Sequence, residues 1–338
     1  MKIGILTSGG DAPGINATIR GVGKTAIKNY GMEVIGILNG FSGLLEKDTV
    51  ELTDASLSNI LNLGGTILGT AREKNFRKMI SSPDAKDQMQ IKQCYQELGL
   101  ECLVCIGGNG TQKTAYMLSE LGLNVIGIPK TIDNDVYGTD ITFGFDTAVN
   151  IATEAIDRLH STASSHRRVM VIEMMGHHAG WITLYAGMAS GADIIILPEL
   201  GYNMDVVIDK IKHRSEEGKA YSIVAVAEGI EIKNSNERAA IYFANEIAKR
   251  SGFETRETVL GYVQRGGSPS PFDRTLGTLF GGHAAYLIHE GLFGRMVARV
   301  DGKITDIPLK EVAGKLKLVT PDTPLVVQGK SMGISFGI

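Results

Sequence analysis

Short apolar runs, each closed by a glycine-bearing turn and followed by an amphipathic stretch, recur along this chain and constrain its fold more than any other feature. KIGILT at residues 2–7 leads through SGGDAPG to a helical pattern over residues 15–29, and EVIGIL at residues 33–38 is the next strand. A helix over residues 84–98 precedes the apolar run at 102–106, a second glycine turn, a helix from Thr111 and a run at 125–128. After Phe145 the pattern starts again, with a helix over 147–161 and strands at 169–174, 192–197 and 222–227. Strand, glycine turn, helix, strand is the signature of an open parallel sheet. A chain of 338 residues exceeds one ordinary core. Two Rossmann-like α/β domains with mainly parallel sheets are therefore expected, and GYVQRGGSPSPFDR at 261–274 reads as a crossing back between them. Ligands of such sheets bind at the carboxyl ends of the strands, where these turns fall.

Composition narrows the partners. The apolar fraction of 43% can fill two cores, but no stretch approaches the ~20 apolar residues of a membrane span. MKIGILTSGG runs directly into a core strand and has no basic leader or cleavage site, so no signal peptide is expected. Three cysteines form no disulfide framework, which suits a reducing cytoplasm. The net charge of −3 is spread evenly, without the basic face of a nucleic-acid binder. Small molecules and copies of the same chain are the expected partners, with no nucleic acid and no membrane.

Three glycine turns follow strands: Ser8-Gly9-Gly10-Asp11, Gly107-Gly108-Asn109-Gly110-Thr111, and Gly266-Gly267. Such a junction lets backbone N–H groups and a helix N-terminus point at a phosphate, although it also serves tight turns that bind nothing. None is a P-loop: Gly23-Lys24-Thr25 looks like its tail, but position 18 is threonine and the segment is mid-helix. None is the dinucleotide fingerprint, which opposes nicotinamide chemistry. PKTIDND at 129–135 places Asp133 and Asp135 two residues apart at a strand's carboxyl end. Their repulsion needs a cation, and phosphoryl transfer supplies Mg²⁺ while requiring a carboxylate to take the hydroxyl proton. An Asx-rich turn is the structural alternative. Arg72, Arg168, Arg256 and Arg265 lie in turns, where guanidinium forks suit phosphate oxygens. Cys102 and Cys105 should face opposite sides of a buried strand, and the adjacent His177 and His178 should diverge, so neither pair suggests a metal site. Trp181 reads as core.

The ordered segments LTSGGDAPGINA from Leu6, GGNGT from Gly107, PKTIDND from Pro129, TFGFDTA from Thr142, SSHRR from Ser164, EMMGHHAG from Glu173, AEG from Ala227 and ETRETVLGYVQRGGSPSPFDR from Glu254 resemble the ATP- and pyrophosphate-dependent 6-phosphofructokinases. The likeness spans nearly the whole chain. It implies the phosphofructokinase fold, with residues 1–144 and 264–314 binding the phosphoryl donor and residues 145–263 and 315–338 binding fructose 6-phosphate. The implied reaction is the glycolytic phosphorylation of the sugar 1-hydroxyl by ATP with Mg²⁺. On matching positions, Asp133 is the base, Thr131, Ile132 and Lys130 lie beside it, and Asp135 is near the metal. Met175, Gly176, His177 and Glu228 resemble the sugar pocket, with Tyr262 and Arg265 at its phosphate end. Arg168 and Arg256 match arginines that reach this pocket from a neighbouring subunit, implying a homotetramer. Gly10, Arg72, Glu73, Gly108, Asn109, Gly110 and Thr111 match the donor side, with Arg72 stabilising the transferring group.

Some positions depart from the pattern. Asn109 stands where the donor turn usually has an acidic metal ligand, so weaker metal binding is expected. Gly110 replaces an aspartate common in pyrophosphate users and leaves open space that favours ATP, whereas Lys130 is typical of pyrophosphate enzymes. A pyrophosphate-dependent enzyme and a non-catalytic sugar-phosphate sensor are the alternatives. Arg20, Lys24 and Lys219 match basic effector-site positions, but Asp54, His160 and Glu217 replace basic residues there. Weak or absent control by ADP or phosphoenolpyruvate is the expectation. The closing SMGISFGI resembles the actinobacterial and mixed-donor branch.

Overall fold

The computed structural model describes residues 1–71, 74–82, 84–232 and 237–338. Its contacts divide the chain into two compact units. Unit 1 comprises Met1–Ile132, Val136–Asp146 and Arg265–Leu316; unit 2 comprises Asp133–Asp135, Thr147–Gln264 and Lys317–Ile338. Numbered along the chain, the strands of unit 1 begin with β1 (Lys2–Ser8), β2 (Glu33–Ile37), β3 (Thr49–Glu51), β4 (Cys102–Gly107) and β5 (Val125–Pro129). Unit 2 contributes β6 (Val169–Met174), β7 (Ile194–Ile196), β8 (Ser222–Ala227) and β9 (Thr255–Val259). The chain then returns to unit 1 for β10 (Arg295–Val300) and β11 (Lys303–Pro308).

The sheet of unit 1 has the order β11-β10-β5-β4-β1-β2-β3, parallel throughout except for its two edge strands. From β1 the chain runs outward through β2 and β3 on one side, then crosses back to β4 on the other side. That makes the carboxyl ends of β1 and β4 a topological switch point, where ligands of such sheets bind. Alternate residues feed cores on the two faces: Cys102, Val104 and Ile106 pack on one, Leu103 and Cys105 on the other. The two cysteines thus diverge as their spacing requires, and burial pushes both thiols up.

On the first face, the helix Ile15–Tyr30 packs against the helix Pro271–His289. Gly281 permits the approach, since a Cβ there would lie 2.5 Å from the backbone nitrogen of Val22. Ser270 caps the second helix, its hydroxyl accepting from Asp273 N at 3.2 Å, and Pro271 opens the first turn. The segment 23–25 is indeed mid-helix.

Unit 2 holds a wholly parallel four-stranded sheet, β7-β8-β6-β9. Here β7 and β8 lie on one side of β6, and the chain then crosses to β9 on the other, giving a second switch point. One face is filled by Val169, Val171, Val224 and Val226 against the helices Met204–Glu216 and Ala239–Ser251. The elements depart in detail from the sequence pattern. The run at 192–197 pairs only over Ile194–Ile196, and the helix expected over 147–161 runs from Phe145 to His166. Among the described residues no helix is long and apolar enough to cross a membrane.

Candidate active site

In unit 1 two turns lie side by side at the switch point. The first follows β1: Thr70 Oγ1 donates to Gly9 O at 2.6 Å, and Gly9 N donates to Ala71 O at 3.2 Å. Two cations converge on the same turn. The Lys130 ammonium donates to Gly10 O, and Arg265 Nη1 donates to Asp11 O at 3.0 Å. A Cβ at Gly10 would meet that guanidinium at 2.8 Å. Lys130 is 3% exposed, a burial lysine tolerates only with its ammonium engaged. Arg265, matched by sequence to the sugar-phosphate end of the pocket, thus belongs by its contacts to unit 1 and the Gly10 turn. Arg72 and Glu73 lie outside the described residues.

The second turn follows β4. The helix Asn109–Glu120 starts two residues before the predicted Thr111, because Gly108 already serves as its N-cap. Thr111 N and Gln112 N donate to Gly108 O at 2.9 and 3.0 Å. The buried Gln112 side chain donates to Gly107 O at 2.7 Å and Ile128 O at 3.0 Å, tying the ends of β4 and β5 together. Gly110 does not border empty space as the sequence suggested. A Cβ there would lie 2.2 Å from Nη2 of Arg77, which comes from the helix Lys74–Ile80. The volume is filled by the guanidinium end of that side chain.

Beyond β5, Thr131 is fixed by its carbonyl, which accepts from Thr142 Oγ1 at 2.7 Å. Ile132 is buried, and Asp133, Asn134 and Asp135 are 8%, 4% and 8% exposed. Those last three residues pack within unit 2, where Lys317 Nζ donates to Asn134 Oδ1 at 2.8 Å and Lys317 N to Asp135 O at 2.8 Å.

The rest of unit 2 sorts the expected sugar-binding residues into two groups. At the carboxyl ends, Glu228 Oε1 accepts from Gly176 N at 3.2 Å and His177 N at 2.9 Å. Met175 N donates to the buried Gln264 Oε1 at 2.8 Å. Sequence reasoning missed Gln264, although it sits between Tyr262 and Arg265 in the same motif. Tyr262 is 74% exposed. His177 has φ 53°, and this left-handed turn brings its ring to 3.9 Å from that of His178 at 71°. The two rings therefore meet edge to face and do not diverge; divergence holds only for extended backbone. At the amino ends, Arg168 and Arg256 each reach Glu254 at 2.7 Å, and the Arg168 hydrogen bond leads in holding that carboxyl below its ordinary value. β6 is six residues long, so these arginines stand roughly 20 Å from residues 175–177 of the same chain.

The altered effector-site positions have partners of their own. In unit 1 Lys24 Nζ reaches Asp54 Oδ1 at 2.6 Å, with Lys28 at 3.4 Å. In unit 2 His160 bonds Tyr221 Oη at 3.0 Å and Ser190 O at 2.7 Å, and Glu217 pairs with His213 at 3.3 Å. Trp181 is only half-buried, contrary to the core reading, and its indole N–H donates to Lys317 O at 2.9 Å.

The fold is that of an α/β protein with a doubly wound sheet in each unit. The phosphofructokinase family description matches residues 2–288, and the chain belongs to that family. It is 64% identical over 337 residues to the ATP-dependent 6-phosphofructokinase 3 of Bacteroides thetaiotaomicron, covering 100% of both chains. It is 52% identical over 354 residues to the ATP-dependent 6-phosphofructokinase of Spirochaeta thermophila, covering 99% of this chain and 97% of the relative. Among solved structures, the phosphofructokinase of Saccharomyces cerevisiae aligns with TM-score 0.82 and 32% identity over 92% of this chain and 45% of that longer one. The pyrophosphate-dependent phosphofructokinase of Nitrosospira multiformis shares the fold, with TM-score 0.86 at 22% identity over 99% of this chain and 92% of the other.

Proposed function

We propose that this chain transfers the γ-phosphoryl group of ATP to the 1-hydroxyl of fructose 6-phosphate, giving fructose 1,6-bisphosphate and ADP in glycolysis. The observation that carries this function is the row of carboxyl ends β1, β4 and β5. The first two bear glycine turns suited to phosphate, and the third runs through Thr131 into Asp133. Full-length identity to relatives named as ATP-dependent supports ATP as donor.

Backbone N–H groups near Gly10, and those of Gly108 and Gly110 at the head of the helix, bind the donor phosphates, and Thr111 closes that turn through its own N–H to Gly108 O. The Arg72 guanidinium stabilises charge on the transferring group. Asp133 takes the proton from the sugar 1-hydroxyl as its oxygen bonds to the γ-phosphorus and the bond from that phosphorus to the ADP oxygen breaks. Met175, Gly176, His177 and Glu228 bind the sugar, Glu228 by fixing the backbone of residues 176 and 177. Tyr262 extends that surface, and Arg265 braces the Gly10 turn toward the substrate phosphates. Arg168 and Arg256, too far from this end of their own sheet, serve the sugar phosphate of a second copy, in a homotetramer.

Among the described residues no group of three or more His, Cys, Asp or Glu side chains is placed to hold a metal. The proposed ligands are the Asn109 amide oxygen and the Asp135 carboxylate. This fits Mg²⁺, which keeps several waters and binds through one or two carboxylates plus substrate phosphates. Bound with ATP, it would neutralise charge on the transferring phosphoryl group.

Replacing Asp133 by asparagine tests the base. The expected loss in kcat is roughly 10²- to 10⁴-fold, with fructose 6-phosphate binding retained in calorimetry. A variant with undiminished kcat would remove Asp133 from this role.

A further inference from the structure

Asn134, between the two carboxylates, has φ 52°. Asparagine tolerates that left-handed conformation better than most residues, but something must hold it there. Both handles are taken by one residue. Lys317 Nζ donates to the Asn134 side chain at 2.8 Å, and Lys317 N donates to Asp135 O at 2.8 Å. Lys317 is itself anchored: its carbonyl accepts from Trp181 Nε1 at 2.9 Å, and its ammonium lies 5.7 Å from the centre of the Trp181 ring. Two residues on, Val319 N donates to Glu199 Oε1 at 3.0 Å, and the same oxygen accepts from Gly180 N at 2.9 Å. The segment from Lys317 to Val319 is thus stapled to the head of the helix Trp181–Ala189 and reaches the Asp133–Asp135 loop from there.

A solvated surface lysine would not need this arrangement. Two hydrogen bonds from Lys317 reach a turn nearly two hundred positions earlier, and two more anchor its own segment to Trp181 and Glu199. All of them lie within unit 2. We infer that Lys317 is a positioning residue for phosphoryl transfer: it fixes the Asn134 turn and with it the direction of the Asp133 carboxylate. Trp181 acts one step further back by holding the Lys317 carbonyl. Lys317 touches neither substrate nor donor in this scheme, and its role rests on Asp133 being the base. A carboxylate misplaced by about 1 Å costs on the order of 10²-fold in rate while substrate binding, which does not depend on that direction, persists.

The test is steady-state kinetics of Lys317→Met and Lys317→Arg beside wild type and Asp133→Asn. Lys317→Met should lose about 10- to 100-fold in kcat, with KM for fructose 6-phosphate within about threefold. Lys317→Arg, which can still donate to Asn134, should recover most of kcat. Trp181→Phe keeps an aromatic ring but drops the indole donor, and should lose kcat in the same direction by less. A Lys317→Met enzyme with wild-type kcat, or one whose KM rises as kcat holds, would overturn the inference. So would an arginine variant no better than methionine in a protein that melts like wild type. If Asp133→Asn is also fully active, the base assignment itself has failed; if it is inactive while Lys317→Met is normal, only the positioning role has.

Discussion

Arg77 occupies the volume that a side chain at Gly110 would claim, and the two residues share no sequence motif. Charge, more than empty space, then distinguishes this turn. A carboxylate at position 110 would pair with the guanidinium and set a negative charge at the head of the helix Asn109–Glu120, where donor phosphates are expected. Gly110→Asp should therefore raise KM for ATP by about tenfold or more while leaving KM for fructose 6-phosphate near its wild-type value. An unchanged KM for ATP would show that Arg77 and the helix head do not govern the donor. The identity of such residues was readable from motifs, but their partners were not. GGNGT announces a phosphate-type turn without naming Arg77, and PKTIDND announces paired carboxylates without naming Lys317. Both partners lie far away in sequence and are brought in by packing alone. His177 shows the converse limit, since a rule for extended backbone fails once φ turns positive.

Elements were more legible than residues. β1, β4, β6 and β8 are buried along most or all of their length, so each appears as an unbroken apolar run with a sharp end. Short β7 was over-read because apolar residues flanking it pack without pairing in the sheet. The start of the helix Asn109–Glu120 is less legible, because Gly108 rather than a polar side chain caps it. Early in the chain, the helix Ile15–Tyr30 carries Lys24 and Lys28, and Asp54, just past β3, engages both. A phosphate effector would have to displace this internal partner as well as face its charge. Phosphoenolpyruvate and ADP should accordingly change activity little at subsaturating fructose 6-phosphate. Strong inhibition by phosphoenolpyruvate would contradict that expectation.

At the scale of the whole molecule, the repeated strand–turn–helix pattern specifies two parallel sheets, because each βαβ step demands a crossover and buries both faces. It does not specify how the chain is shared between them. Asp133–Asp135 follow β5 directly yet pack in unit 2, since their hydrogen-bonding partner is the returning segment at Lys317. No periodicity in seven residues could have announced this. Placement of Arg168 and Arg256 at the opposite end of the unit 2 sheet from Glu228 is also a property of the fold, and it underlies the proposed use of a second copy. The proposed activity is donor-specific phosphorylation of fructose 6-phosphate. Its most direct test is product formation by the purified chain with fructose 6-phosphate and Mg²⁺, supplied with ATP in one series and pyrophosphate in another. Turnover with ATP and little with pyrophosphate is the predicted result. Turnover with pyrophosphate alone, or none with either donor in a protein that still binds fructose 6-phosphate, would contradict it.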